Sequence, residues 1–350
     1  MNRYLAFLLL LLIVACRSTP DNNTLSTIKF RGETMGTYYS VIYKDVQNAN
    51  HQAAIDSLLK EINAELSTYI PTSTISSFNT GEDGVIVNQG TKKHFKMVFD
   101  RSKEIYEDSE GAFDPTVMPL VNYWGFGYTK KEPKAKDEMA VDSLLQLVGF
   151  DKVDILELDG GAEIQYQKNE PQMQLDFSAI AKGYGVDQVG ELLERRGVKH
   201  YLVEIGGELR ARGKSKPDKH WTVGINTPKE GAKTQDVHTV VQLKEIAIAS
   251  SGNYRNYYEE NGVKYAHTIN PKTGKPELSR LLSASVFATD CMTADAFATA
   301  CMVLGLERAD SLISGNDGLE AFFIYSDEKG ELQTKASAGM SHYLLPGEVE

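Results

Sequence analysis

The stretch Leu175-Asp176-Phe177-Ser178-Ala179-Ile180-Ala181-Lys182-Gly183-Tyr184-Gly185 constrains this chain more than any other. Met173 to Phe177 reads as a short strand, and the pattern then changes period at once. From Ala179 the apolar residues Ile180, Val186, Val189, Leu192 and Leu193 fall on one helical face, and Gly197 stands where a helix C-terminus takes glycine. A strand running straight into a helix aims Asp176 and Lys182 at the same mouth. The first N–H groups of that helix have no partner within it, so the mouth suits an anion. Gly183 and Gly185 each weaken a helix by ~1 kcal/mol relative to alanine, which predicts close approach by another group. Alone, the stretch suits a plain strand-to-helix turn with a surface lysine equally well. The rest of the chain has to decide.

The N-terminus stands apart from the fold. Arg3 supplies a positive start, and Leu5 to Val14 form an apolar run too short to cross a bilayer comfortably. The run ends Ile13-Val14-Ala15-Cys16, which resembles a bacterial lipobox. The expectation is a signal peptide over residues 1–16, Cys16 as the lipidated mature N-terminus, a flexible tether over 17–27 and a folded unit over 28–345. That makes the protein an exported, membrane-anchored lipoprotein facing the periplasm. An ordinary secretory signal with a chance cysteine is the alternative. Export permits a disulfide between Cys291 and Cys301, although buried free thiols at the two ends of one short helical segment are the preferred reading. With 41% hydrophobic residues, the 350-residue chain has ample material for a core. A net charge of −11, with no lysine/arginine cluster interleaved with aromatics, argues against nucleic acid or an anionic membrane surface as the main partner.

Taken in order, Ile28 to Tyr43 alternates like two short strands around Gly32-Glu33-Thr34-Met35-Gly36-Thr37. Small residues flanking Met35 suggest a backbone close to a ligand with the methionine as a soft contact, or a plain hairpin turn. Ile55, Leu58, Leu59, Ile62 and Leu66 predict a helix over 51–66, and Pro71 stops its continuation just past Tyr69. A tyrosine held at a helix end can stack on a flat ring or simply be half-buried. A second amphipathic helix is expected over Thr91–Asp108, and a loop with aromatics from Gly111 to Gly127. The charged segment Lys130–Asp137 reads as a connection between halves that are not expected to fold independently. Strands are expected at 200–205, 221–226, 238–243, 246–249 and 321–325, with a last one near 342–345 and a polar turn at 249–254. A small-residue helix begins near Thr293 and ends near Gly305, with Asp295 and Thr299 four apart on one face. One carboxylate and one hydroxyl are too few ligands for zinc but suit Mg2+, which keeps waters and phosphate oxygens. Helix capping is the alternative role for Asp295.

Six of these stretches line up, in order, with one family. Gly32 to Thr37 resembles its Gly-x-Thr-Met-Gly-Thr segment, Gly111 to Thr116 its Gly-Ala-Phe-Asp-Pro-Thr segment, and Leu175 to Gly183 its Leu-Asp-(three residues)-Ala-Lys-Gly segment. Ser250-Ser251-Gly252, His267 to Gly274 and Ala294 to Thr299 complete the series. The family is that of the FAD:protein FMN transferases (ApbE type), often exported lipoproteins. The resemblance implies an α+β fold: a single T-fold-like unit with antiparallel sheets, flanking helices and a deep flavin cleft. It implies transfer of FMN from FAD, as substrate, to a threonine hydroxyl of an acceptor flavoprotein of membrane redox complexes, with release of AMP and help from Mg2+. By the same resemblance, flavin contacts fall on Met35, Tyr69, Ala112, Phe113, Asp114, Asp176, Lys182 and Ile269, and the metal on Asp295, Thr299 and the carbonyl of Ala179. Catalytic roles fall on Lys182, which neutralises charge at the transferring phosphorus, and on His267, which takes the acceptor proton. A satisfied strand histidine is the other reading of His267.

The chain departs from the family pattern twice. Asn270 stands where members commonly carry Asp, so it keeps turn hydrogen bonds but adds no charge. Ala298 stands where some members place a second carboxylate. Two other functions share the motifs: a Mg2+-dependent FAD pyrophosphatase using water as the nucleophile, and a non-catalytic flavin-binding lipoprotein.

Overall fold

A two-residue turn sets the first pairing. Strands β1 (Ser26–Thr34) and β2 (Thr37–Asp45) run antiparallel from Ser26↔Asp45 to Thr34↔Thr37. Met35 and Gly36 join them with φ of 51° and 70°, the left-handed pair that matches the twist of the strands. The structure, a computed structural model, describes residues 25–128, 137–229, 236–253, 257–260, 263–277 and 279–345. The expected signal peptide, Cys16, residues 17–24 of the tether and residues 130–136 of the expected connection lie outside the described residues.

The first half continues through α1 (Gln52–Leu66), α2 (Thr74–Thr80), β3 (Gly84–Asn88), α3 (Lys93–Asp108), α4 (Met118–Tyr123), α5 (Glu138–Leu145), β4 (Val153–Leu158) and β5 (Glu163–Lys168). Next come α6 (Ala181–Arg195), β6 (His200–Ile205), β7 (Glu208–Arg212), β8 (Trp221–Asn226), β9 (Val237–Leu243) and β10 (Ala247–Gly252). The chain then adds β11 (Tyr257–Glu260), β12 (Val263–Ala266), β13 (Leu281–Ala288), α7 (Cys291–Leu304), α8 (Leu306–Gly315), β14 (Glu320–Ser326) and β15 (Leu332–Ala336).

Eight strands form one sheet in the order β1-β2-β6-β7-β10-β13-β14-β15, antiparallel throughout. Separate small sheets pair β3-β5-β4, β8-β9 and β11-β12. The fold is thus the expected α+β arrangement. Alternation along β6 sends Tyr201, Val203 and Ile205 to the helix-covered face and Leu202 to the other. The main core draws on residues from Tyr39 to Phe323, so both halves of the chain share it. On the opposite face, Trp221, Ile225, Val241 and Leu243 of the β8–β9 hairpin pack with Ala211, Ile248, Phe287 and Phe322. Each fully buried aliphatic or aromatic side chain of this kind contributes about 1.5–3 kcal/mol.

Three expectations fail for identifiable reasons. Part of the expected loop after Gly111 is helical: Pro119 sits in the first turn of α4, where its missing N–H is harmless, and Met118 and Leu120 are buried. The polar residues Ser250 to Gly252 lie inside β10, not in a turn. Their polarity is satisfied across the ladder, as in the 2.7 Å bond between the Ser250 and Ser285 hydroxyls. No strand forms at 342–345; a 3-10 turn, Ala338–His342, precedes a single bridge from Leu344 to Val241. The strand that extends the sheet there is β15, exposed along its whole length and so without an alternating signal. Cys291 and Cys301 are free and buried.

Candidate active site

Helix α6 starts two residues later than the sequence suggests, and what precedes it is not a strand. Residues 173–177 are extended but outside any sheet. Their ladder partner is one side chain: Asn79 on α2 accepts from Leu175 N–H (2.7 Å) and donates to the Leu175 carbonyl (2.9 Å). The Asp176 N–H donates to the Pro115 carbonyl at 2.8 Å, which ties this segment to the Gly111–Thr116 loop. The Asp176 carboxylate then accepts from Ser178 N–H (2.9 Å) and Ser178 Oγ (2.8 Å) and closes the turn into α6. Burial pushes its pKa up, against those hydrogen bonds and Lys182. At the far end, Gly197 N–H bonds Glu194 O and Val198 N–H bonds Leu193 O, with Gly197 at φ 83°. This is the glycine-dependent C-terminal motif that the sequence implied.

The close approach foreseen for Gly183 is made by another helix. A Cβ there would lie 2.3 Å from the Cys291 carbonyl oxygen, so only glycine lets α6 meet the start of α7. Gly185 faces the Met35 side chain, whose Cε would be 3.0 Å from an added Cβ. The anion at the helix start also comes from the chain itself: Gly183 N–H donates to Asp295 Oδ2 at 3.0 Å. Asp295 is 3% exposed, one turn from Thr299, whose hydroxyl lies 3.3 Å from Ser251 Oγ.

Lys182 is the centre of the arrangement. Its Nζ lies 2.8 Å from Glu208 Oε1 and 3.4 Å from Asp295 Oδ1. Burial opposes its charge, but the two carboxylates outweigh burial and hold the ammonium protonated beyond the ordinary lysine range. Burial holds the Glu208 carboxyl well above the usual carboxylate range; Lys182 pulls it down and Asp295 adds to the rise. Glu208 Oε2 is buried with no hydrogen-bond partner among the described residues.

These groups line a cleft of about 1070 Å³. It takes in residues from both faces of the large sheet, passing the Gly206-Gly207 turn between β6 and β7. Of the residues expected at the site, Tyr69, Ala112, Phe113, Asp114, Asp176, Ala179, Lys182, His267, Ile269, Asp295 and Thr299 all line it. Met35 does not; it packs on the core beside Gly185. Tyr69 is 71% exposed at the rim, edge-on to Tyr128 with ring centroids 6.3 Å apart. Asp114 caps a short 3-10 turn by accepting from Thr116 N–H (2.8 Å) and Oγ (2.6 Å), and burial lifts its pKa to about 7. His267 stands edge-on to Phe126, centroids 6.4 Å apart. The turn behind it is anchored by Trp124 Nε1, which donates to the Gly274 carbonyl at 2.7 Å. Asn270 keeps the turn's bonds: its Oδ1 accepts from Lys272 N–H (2.9 Å), and its carbonyl accepts from Gly274 N–H (2.8 Å).

Sequence reasoning missed Glu208 and Asn79. The run Gly206-Gly207-Glu208 after a strand was visible, but nothing local says that its carboxylate meets Lys182. Among the described residues no three His, Cys, Asp or Glu side chains could form a metal site by themselves. The oxygen donors of Asp295, Thr299 and Ala179, beside the Glu208 carboxylate that takes the nearer share of the Lys182 ammonium, do fit a hard cation that fills its shell with water and phosphate.

The ApbE family model matches residues 35–323. The FAD:protein FMN transferase of Haemophilus influenzae is 38% identical over 318 residues, covering 89% of this chain and 90% of that protein. The enzyme of the same name from Vibrio cholerae is 35% identical over 321 residues, covering 90% and 91%. Among solved structures, the flavin transferase ApbE from Vibrio cholerae superposes with a TM-score of 0.80 at 31% identity, over 92% of this chain and all of that one. The Pseudomonas stutzeri flavinyl transferase ApbE gives 0.78 at 30% identity, over 91% and 96%.

Proposed function

This chain belongs to the ApbE family, and from that premise we propose that it is an FAD:protein FMN transferase acting on exported or membrane-bound redox proteins. The reaction joins an acceptor threonine hydroxyl to the FMN phosphorus of FAD, breaks the pyrophosphate bond and releases AMP. The observation that carries this reading is the Lys182–Glu208–Asp295 cluster in a cleft shared with Tyr69, Phe113 and Ile269. An end with an ammonium and hard oxygen donors beside an apolar and aromatic end suits the pyrophosphate and the flat ring of a flavin dinucleotide. Lys182 offers a fixed ammonium to the pyrophosphate oxygens, where negative charge grows as the bond breaks. Asp295, Thr299 and the Ala179 carbonyl would hold Mg2+. Bound there, the ion neutralises phosphate charge as a Lewis acid. His267 is the group that takes the threonine proton, since a hydroxyl is a poor nucleophile until a base removes it. Cys16 carries lipid in this reading and keeps the enzyme at the periplasmic membrane surface, where such acceptors are.

Mass spectrometry of a threonine-motif acceptor incubated with this protein, FAD and Mg2+ tests the proposal. An FMN-sized adduct on the threonine, formed alongside an equal amount of AMP, is the expected result. Rapid conversion of FAD to free FMN and AMP without an acceptor, and no adduct with one, would mean a pyrophosphatase.

A further inference from the structure

One ammonium faces two buried carboxylates, and the division between them is unequal. Lys182 Nζ is at full hydrogen-bond distance from Glu208 Oε1, 2.8 Å, and stands off Asp295 Oδ1 at 3.4 Å. The other Asp295 oxygen is committed to Gly183 N–H, so Oδ1 is the one left for a cation. A lysine closed onto Oδ1 would neutralise it and set a positive charge where the metal must bind. Glu208 opposes that closure. It opens β7 directly after Gly206 and Gly207, both with positive φ (63° and 111°), and its side chain lines the cleft beside Lys182. It is 5% exposed, and its second oxygen has no hydrogen-bond partner among the described residues. A buried carboxylate oxygen left without a partner is costly, so Glu208 is not placed there for its own hydrogen bonding.

We propose that Glu208 is a positioning residue that holds the Lys182 ammonium off Asp295, leaving Asp295 Oδ1 free to bind the divalent cation. The inference rests on the reading of Asp295 as a metal ligand. Glu208 and Lys182 form one pair; Asp295 would hold the cation, and both positive charges would be available to the substrate pyrophosphate.

Because Glu208 acts through Lys182, the test is a double-mutant cycle read by cation binding, without turnover. Mn2+ is titrated into the full chain loaded with FAD, and free Mn2+ is followed by its electron paramagnetic resonance signal. Glu208→Gln, which keeps the shape and one acceptor oxygen, should weaken Mn2+ binding ~10-fold when Lys182 is present. In a Lys182→Met background the same substitution should change it less than about two-fold, since no ammonium remains to close on Asp295. Equal weakening in both backgrounds would make Glu208 itself a ligand and overturn the proposal. Unchanged binding in both would reduce Glu208 to a structural residue and overturn it too. A wild-type protein that binds no Mn2+, or an Asp295→Asn variant that binds it normally, would instead fell the metal reading on which the inference rests.

Discussion

Helices α6 and α7 exchange carboxylates, and the two ends of that exchange are not alike. Asp187 on α6 accepts from Cys291 N–H (2.9 Å) and Met292 N–H (2.8 Å), the first amides of α7, and pairs with Arg210 at 3.0 Å. Asp295 on α7 returns the gesture with one amide bond, from Gly183 N–H near the start of α6 at 3.0 Å, and takes only a longer 3.4 Å contact from Lys182 Nζ on its other oxygen. Both residues are buried, at 4% and 3% exposure. Asp187 has both oxygens committed to amides and a guanidinium behind it. Asp295 has one oxygen committed and the other facing Lys182 across the cleft. The same local device therefore serves as a clamp at one end and turns an oxygen into the cleft at the other. Whether a carboxylate oxygen is left over makes the difference.

The sharpest way to break this comparison is to neutralise each carboxylate in turn. Asp295→Asn keeps an oxygen for Gly183 N–H and should leave the melting temperature nearly unchanged. It should lower Mg2+-dependent flavin transfer by ~10²–10³-fold, the scale seen when a charge-stabilising group is lost from a transition state. Acceptor labelling at saturating FAD checks it, and near-normal rates at limiting Mg2+ would contradict it. Asp187→Asn should do the opposite. It takes the nearer of two carboxylates from a largely buried Arg210, leaving Glu194 at 3.5 Å, and puts an amide N–H₂ against helix amides that need acceptors. A loss of about 3 kcal/mol in stability is expected, seen as a clear drop in the denaturation midpoint, with activity in the remaining folded protein falling far less than for Asp295→Asn.

Gly183→Ala probes the contact both exchanges depend on. The added methyl would meet the Cys291 carbonyl oxygen at 2.3 Å, a backbone atom that cannot swing away. Overpacking of this kind costs ~1–3 kcal/mol. Because Gly183 adjoins Lys182, the variant should lose transfer more than stability alone explains, as measured by rate per folded molecule.

The smallest effect concerns a buried titratable group remote from the chemistry. His94 on α3 is buried against α6, with Nδ1 2.7 Å from Tyr184 Oη, and burial lowers its pKa to about 4 from 6.5. The folded value lies below the unfolded one, so its contribution is complete above pH ~6.5 and is lost as pH falls towards 4. His94→Gln, which can hold Tyr184 but does not titrate, should be the less stable protein near neutrality by ~1 kcal/mol. That gap should close or reverse at pH 4.5 in parallel melts. A constant gap would mean that His94 is not held neutral by the fold.

Much of this architecture is legible in local pattern. The periodicity of α1, α3 and α6 marks their buried faces, and Gly197 and Gly305 mark two helix ends. The pairing of Asp295 with Thr299 on one face also follows from spacing alone. What escapes the sequence is non-local. Leu175 looks like a strand residue because its backbone does have ladder-like partners, but they come from Asn79, 96 positions away. Glu208 reads as the polar start of a strand until the fold brings it to Lys182 across 26 positions. Gly183 was read as making room for a neighbour, and the neighbour proved to be the backbone of α7. Met35 sits in the turn where the pattern puts it, and its side chain packs on Gly185 beside the cleft lining, a contact between distant segments that spacing does not reveal. Periodicity tells which face is buried. It does not tell which buried oxygen keeps a free lone pair.

The account turns on that cleft-facing oxygen of Asp295, and anomalous diffraction from crystals grown with FAD and Mn2+ reads it directly. A manganese peak bonded to Asp295 Oδ1 and Thr299 Oγ1, with the FAD pyrophosphate completing its shell and Lys182 still on Glu208, is the predicted result. A pyrophosphate bound in the cleft with no peak at Asp295, or with Lys182 closed onto Asp295 in the metal's place, would contradict it.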